Sequence, residues 1–213
     1  FYGIPQAKWV AFDKYAYTAD KTALLANAAE KLGYPIFVKP ANAGSSVGIS
    51  KAKNIDELEK ACEKAFEHDK KLVLEEGIVG MEVECAVMGN DEPVASVIGE
   101  VVPCNEFYDY DAKYNNSASR TVIPGEIEAE KAEEMRRIAK KIFRAVDGSG
   151  LARVDFFVDR KTGKVLFNEL NTMPGFTPIS MYPMLWEAAG MSNKELMDRF
   201  IELALTRDTG IRG

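Results

Sequence analysis

The sequence predicts an α+β protein whose sheets are largely antiparallel. Two observations carry this. Segments with a helical apolar period are interspersed with short segments of period two. In addition, the strand segments at residues 71–102 and 151–171 follow one another as a meander and a hairpin, with no helix between neighbours, which is the connection antiparallel pairing allows. With 213 residues, 46% of them hydrophobic, the chain is long enough to bury a real core, as one large domain or as two lobes.

The elements run in order along the chain. "TADKTALLANAAEKLGYP", from Thr18, carries Leu24, Leu25, Ala28, Ala29 and Leu32 on one helical face and stops at Gly33 with Pro35 beyond it. "PIFVKP" reads as a short buried strand, succeeded by the Gly/Ser loop "ANAGSSVG" and then "ISKAKN". Asn54 and Glu57 have capping-box spacing for the helix "IDELEKACEKAF", whose apolar positions are Leu58, Ala61, Cys62, Ala65 and Phe66. "KLVLEE", "MEVECAVMG" and "VASVIGEVV" read as strands; in the second, Val83, Cys85 and Val87 alternate with Glu82, Glu84 and Ala86. Residues 104–125 show no sustained period and many turn formers, which predicts a long loop of the kind that is usually functional or disordered. "EIEAEKAEEMRRIAKKIFRAV" is an amphipathic helix, "LARVDFFVDRKTGKVLFNELN" a hairpin turning at Arg160 to Gly163, and the remainder is helical, with Ser192 and Glu195 spaced as a second capping box. The abrupt start, "FYGIPQAKWVAF", predicts that the chain is part of a longer protein.

Composition narrows the function classes. A net charge of −6 argues against a duplex nucleic-acid binder, though local cations can still hold a small anion. Cys62, Cys85 and Cys104 are odd in number and lack zinc or redox spacing, so they read as small apolar residues of a reduced, cytoplasmic protein. No apolar run or signal pattern suggests a membrane span or export. His68, the only histidine, reads as a surface residue, leaving little for histidine-based zinc or hydrolase chemistry.

Four stretches can carry chemistry. In the hairpin, Arg153 and Asp155 share a face of one strand and Glu169 and Asn171 a face of the next, and pairing across the turn can bring them together. Three hard oxygen ligands suit magnesium, and Arg153 beside them suits charge developing on a phosphoryl or acyl group; an exposed polar edge with an Arg–Asp pair fits the spacing equally well. "VKPANAGSSVG" sets Lys39 at the end of a buried strand before a loop of small residues, with Ser45 and Ser46 as donors, a way to cradle phosphate or simply a hairpin loop. "VLEEGIVGMEVE" offers backbone around Glu75 and Glu76 to a purine and Glu82 to ribose hydroxyls, or else the solvated face of a sheet. "EFYDYDAKY" groups Phe107, Tyr108, Tyr110 and Tyr114 around Lys113 in the long loop, as a water-excluding lid or as a loop fixed by its tyrosines. Met181, Met184 and Leu185 read mostly as core.

Together and in order, "FVKPANAGSSVGISK", "VLEEGIVGMEVE", "EFYDYDAKY", "GLARVDFFVD" and "FNELNTMPGFTPIS" resemble the D-alanine–D-alanine ligases of the ATP-grasp superfamily, over nearly the whole chain. The resemblance implies two lobes, each with a largely antiparallel sheet and packed helices, gripping ATP between them. Residues 1–80 would be the small lobe, and residues 81–213 the large one with the lid loop 104–125 and a metal-binding hairpin; the family's amino-terminal domain would precede them. It implies ATP-dependent joining of two D-alanines through an acyl phosphate for peptidoglycan precursors, with magnesium or manganese.

By the same resemblance Lys39 would reach the nucleotide, the backbone around Glu75, Glu76 and Ile78 would meet adenine, and Glu82 the ribose. Asp155, Glu169 and Asn171 would hold the metal. Ser45 would lock to Tyr114 of the lid, and Lys113 would touch phosphate and the second amino acid's carboxylate. Arg153 and the N–H of Gly175 would stabilise the oxyanion, with Ser180 and Met181 at the acceptor. The family glutamate that orients the first D-alanine and a phosphate-contacting lysine are not in this segment, so the chain alone is expected to turn over poorly. Tyr114 and the apolar Met181 resemble the D-alanine type more than the D-lactate or D-serine ligases of vancomycin resistance. Other ATP-grasp carboxylate–amine ligases, and a non-catalytic nucleotide-binding module, are the remaining readings. No nucleic-acid or membrane partner is implied, and family members are often homodimers.

Overall fold

A computed structural model describes residues 2–44, 46–102 and 120–208, which divide into two compact units. One is Ala7–Val79; the other joins residues 2–6, Gly80–Val102 and residues 120–208. Both are α+β, and the named strands of both sheets pair antiparallel, with one isolated parallel bridge from Gln6 to Phe167.

In the first unit β1 (Trp9–Asp13), β4 (Lys71–Glu76), β2 (Ile36–Pro40) and β3 (Ser50–Ala52) form a sheet in that order. Two short helices precede β2 where one was expected: α1 (Lys14–Ala19) and α2 (Lys21–Leu32). The break falls at Asp20, whose carboxylate accepts from the Ala23 N–H at 3.0 Å and caps the second helix. A cap outweighs continuation there because the first N–H groups of a helix otherwise lack partners. Leu25, Ala28 and Leu32 of α2, with Leu58, Ala61, Cys62 and Ala65 of α3 (Ile55–Ala65), share one core with Ile36, Val38, Leu72 and Leu74. Each large aliphatic buried there contributes roughly 1.5–3 kcal/mol. Asn54 caps α3 through the Glu57 N–H, but Glu57 returns to the Lys53 N–H at 2.8 Å rather than to the N–H of Asn54, so the expected box is shifted by one residue.

In the second unit the sheet order is β7 (Arg120–Val122), β6 (Val94–Val102), β5 (Gly80–Gly89), β8 (Gly150–Asp159), β9 (Val165–Asn171). The expected loop 104–125 thus ends in a short strand; residues 103–119 lie outside the described residues. Val83, Cys85, Val87, Val154, Phe156 and Val158 share one core with Met135, Ala139, Ile142 and Phe143 of α4 (Ala129–Ala145). On the opposite face α5 (Met181–Ala188) comes so close to β6 that a Cβ on Gly99 would stand 2.8 Å from Leu185 and 3.0 Å from Met181. Tyr182, fully buried, donates its hydroxyl to the Val87 carbonyl at 2.9 Å. The last helix, α6 (Asn193–Thr206), begins with the expected reciprocal Ser192–Glu195 box.

Candidate active site

The β8–β9 hairpin turns on Asp159, whose carboxylate accepts from both the N–H and the hydroxyl of Thr162 at 2.6 Å, and on Gly163 at φ 68°, a left-handed position suited to glycine. Beyond the turn a plain period of two would put Phe167, Glu169 and Asn171 on one face. The register prevents this: Phe156 pairs with Phe167 but Asp155 with Glu169, so Asn168 is an extra residue in β9. A bulge of this kind re-aims the side chains beyond it. Phe167 and Leu170 therefore pack on the core, while Glu169 and Asn171 share the other face with Asp155 and Arg153, the residues directly across from them.

Arg153, Asp155, Glu169 and Asn171 thus come together, and β5 adds a member to which the sequence alone assigns no role. Glu84 pairs with Asp155, giving a cross-strand row of three carboxylates: Glu84, Asp155, Glu169. Arg153 lies beside the row. Its Nε and Nη2 donate to the two oxygens of Asp155, each at 2.7 Å, and its Nε is 3.0 Å from Glu84 Oε2. These side chains are largely buried, at 14%, 11% and 15% exposure for Arg153, Asp155 and Glu84. Burial by itself would lower the guanidinium pKa, but the Asp155 hydrogen bonds and the fields of Asp155, Glu84 and Glu169 push it above its ordinary value. Arg153 is a fixed positive charge.

Among the described residues no group of three or more His, Cys, Asp or Glu is gathered as a closed cation cage. The donor chemistry nonetheless fits magnesium or manganese, which take one or two carboxylates and keep waters and substrate oxygens for the rest. Asp155 and Glu169 are opposed carboxylates, and the Asn171 amide oxygen stands on the same face, accepting a 3.3 Å hydrogen bond from the Met173 N–H.

The turn after β9 brings a second pair together. Ser180 is the N-cap of α5, and its Oγ accepts from the Thr177 N–H at 2.9 Å. A Cβ on Gly175 would lie 2.8 Å from that Oγ, so only glycine allows this approach without a shift. Met181, next to Ser180, is buried at 5% exposure.

In the first unit Lys39 forms an ion pair with Glu75 at 2.6 Å. Glu76 is tied to Lys8, just before β1: its N–H donates to the Lys8 carbonyl and its carboxylate accepts from the Lys8 N–H at 2.8 Å. Ile78 is half-buried in the link after β4. The Gly/Ser loop is held by Asn42, which donates to Asp69 from both its N–H and its amide, and by Gly48 at φ 74°, packed against Pro40 and His68. Glu82, half-buried, shares the face of Glu84. Ser45, Lys113 and Tyr114 lie outside the described residues.

Comparison with known proteins agrees with this arrangement. The family described as D-ala D-ala ligase C-terminus matches residues 1–202, and the chain belongs to that family. It is 54% identical over 205 residues to the D-alanine–D-alanine ligase of Acetivibrio thermocellus, covering 96% of this chain and 54% of the relative, and 52% identical to that of Bacillus velezensis, covering 96% and 58%. Among solved structures it superposes on the D-alanine–D-alanine ligase of Coxiella burnetii with a TM-score of 0.79 at 36% identity, covering 95% of this chain and 53% of that one. The VanG D-Ala:D-Ser ligase of Enterococcus faecalis gives 0.83 at 40%, covering 95% and 57%. The fold is therefore that of the ATP-grasp ligases. The chain spans a little over half the length of these relatives.

Proposed function

We propose that this chain is the ATP- and acceptor-binding part of a D-alanine–D-alanine ligase that makes peptidoglycan precursor. In this reading residues 1–80 are the small lobe and 81–213 the large lobe of the grasp. The carboxylate of one D-alanine attacks the γ-phosphorus of ATP, ADP leaves, and an acyl phosphate forms. The amine of a second D-alanine then attacks the acyl carbon, phosphate leaves, and the amine gives up a proton. No covalent enzyme intermediate is needed, so the protein's part is positioning and charge stabilisation.

The observation that carries this reading is Arg153, a permanent cation held by Asp155 beside Glu169 and Asn171. Its guanidinium, together with the Gly175 N–H, faces the negative charge that grows on the acyl oxygen. Asp155, Glu169 and Asn171 hold magnesium or manganese, which when bound neutralises phosphate charge. Lys39 reaches the phosphates; Glu75, Glu76 and Ile78 border the adenine, and Glu82 the ribose. Ser45 and Tyr114 close the lid, with Lys113 on phosphate and the acceptor carboxylate, and Ser180 binds that carboxylate beside Met181. The reading implies a cytoplasmic enzyme, where ATP is made.

A second acceptor has a specific observation in its favour, the 40% identity to a D-Ala:D-Ser ligase. The buried, apolar Met181 supports D-alanine instead. Competition among D-alanine, D-serine and D-lactate, on a version of the protein extended to the relatives' full length, decides between them. For the site itself, calorimetric titration of this chain with ATP and magnesium should give binding that Asp155→Ala abolishes; unchanged binding in the variant would remove the hairpin from the reading.

A further inference from the structure

We propose that Glu84 is a positioning residue of the cation site: it takes over the Arg153 guanidinium when a divalent cation claims Asp155. The inference rests on the function proposed above and adds a step to it. In the structure both oxygens of Asp155 accept from Arg153, at 2.7 Å each. A cation that coordinates Asp155 competes with that fork for the same lone pairs. Arg153 must yield at least one bond, and in a largely buried site a guanidinium that loses its partner is costly unless another carboxylate is in place.

Glu84 is in place. It stands across from Asp155 on β5, and its Oε2 is 3.0 Å from Arg153 Nε, although the Nε–H itself points to Asp155 Oδ1. A small rotation of the guanidinium turns this ion pair into an in-line hydrogen bond. Glu84 thereby fixes where Arg153 points once the site is loaded, although it touches neither cation nor substrate.

The test uses Mn2+ alone, its binding to this chain followed by the loss of the free-ion EPR signal. Glu84→Gln should raise the Mn2+ dissociation constant about tenfold, the usual loss for a residue that supports a ligand from behind. With Arg153→Met already present, the same change should alter binding by less than about twofold; an undiminished effect would make Glu84 a direct ligand or a general field and overturn the proposal. Because Arg153→Met strands buried carboxylates and puts folding at risk, a second readout avoids it. In protein labelled with nitrogen-15 arginine, the Arg153 Nε–Hε resonance should move on adding saturating Mg2+, and by a different amount in Glu84→Gln, where the displaced guanidinium no longer meets a carboxylate at position 84. Mn2+ bound by the native chain, with Glu84→Gln binding equally well and the resonance moving by the same amount, overturns this inference alone. No Mn2+ binding by the native chain overturns the function reading along with it.

Discussion

Asp155 and Glu169 stand directly opposite one another on β8 and β9, two carboxylates on one face of a sheet. Like charges in that position destabilise a strand pair, and Arg153 offsets only part of the repulsion. Glu169→Gln should therefore stabilise the metal-free protein by about 0.5 kcal/mol while weakening divalent-cation binding. Urea unfolding with chelator present, paired with a Mn2+ titration, reads both. A variant that loses stability as well as metal affinity would show that Glu169 is a structural member of the sheet.

Removing the other member of that row has the reverse effect on stability. Asp155→Ala leaves a largely buried guanidinium without its two hydrogen-bond acceptors, though still beside Glu84, a loss of about 3 kcal/mol by analogy with broken buried ion pairs. The urea midpoint should fall accordingly. A shift too small to measure would mean that solvent already screens Arg153.

Gly175→Ala separates binding from folding. The added Cβ would lie 2.8 Å from Ser180 Oγ, which is held by Thr177, and the turn is exposed. Stability should change by less than about 1 kcal/mol, while in the full-length enzyme the KM for the acceptor amino acid rises about tenfold. Unaltered acceptor kinetics would detach this turn from the acceptor.

Alkaline pH should weaken the fold through its buried thiols. Burial pushes Cys62 and Cys85 from 9.0 up to about 12, Cys62 with help from Glu63 and Glu59. A folded-state pKa raised above the unfolded one gives stability that is complete below pH 9 and is lost as pH rises from there toward 12, because only the unfolded chain ionises in that window. Each thiol contributes a slope of up to about 1.4 kcal/mol per pH unit. Urea midpoints compared across this window should fall less steeply in Cys85→Ala; equal slopes would place the titration elsewhere.

Much of the fold was legible in the sequence because apolar periodicity reports burial directly. Leu58, Ala61, Cys62 and Ala65 form the face the helical period marks, and Val83, Cys85 and Val87 the face that period two marks. The site residues were legible in identity but not in arrangement. Nothing in "VLFNELN" announces that Asn168 is extra, since a bulge depends on the partner strand, and without it Glu169 would join Phe167 in the core. Glu84 went without a role because its alternation with Val83 and Cys85 fits any half-exposed strand; only the β5–β8 register sets it beside Arg153. The break between α1 and α2 was hidden because Asp20 falls inside a stretch that reads as continuous helix. The strand β7 was missed for its shortness, three residues at the end of a turn-rich stretch.

The most direct test is to locate manganese by anomalous diffraction in crystals of the protein grown with Mn2+ and a non-hydrolysable ATP analogue. The account predicts a peak within coordination distance of the Asp155, Glu169 and Asn171 oxygens, about 2.0–2.3 Å from each ligating atom. Manganese bound with the nucleotide elsewhere, and these three side chains free of it, would contradict the account.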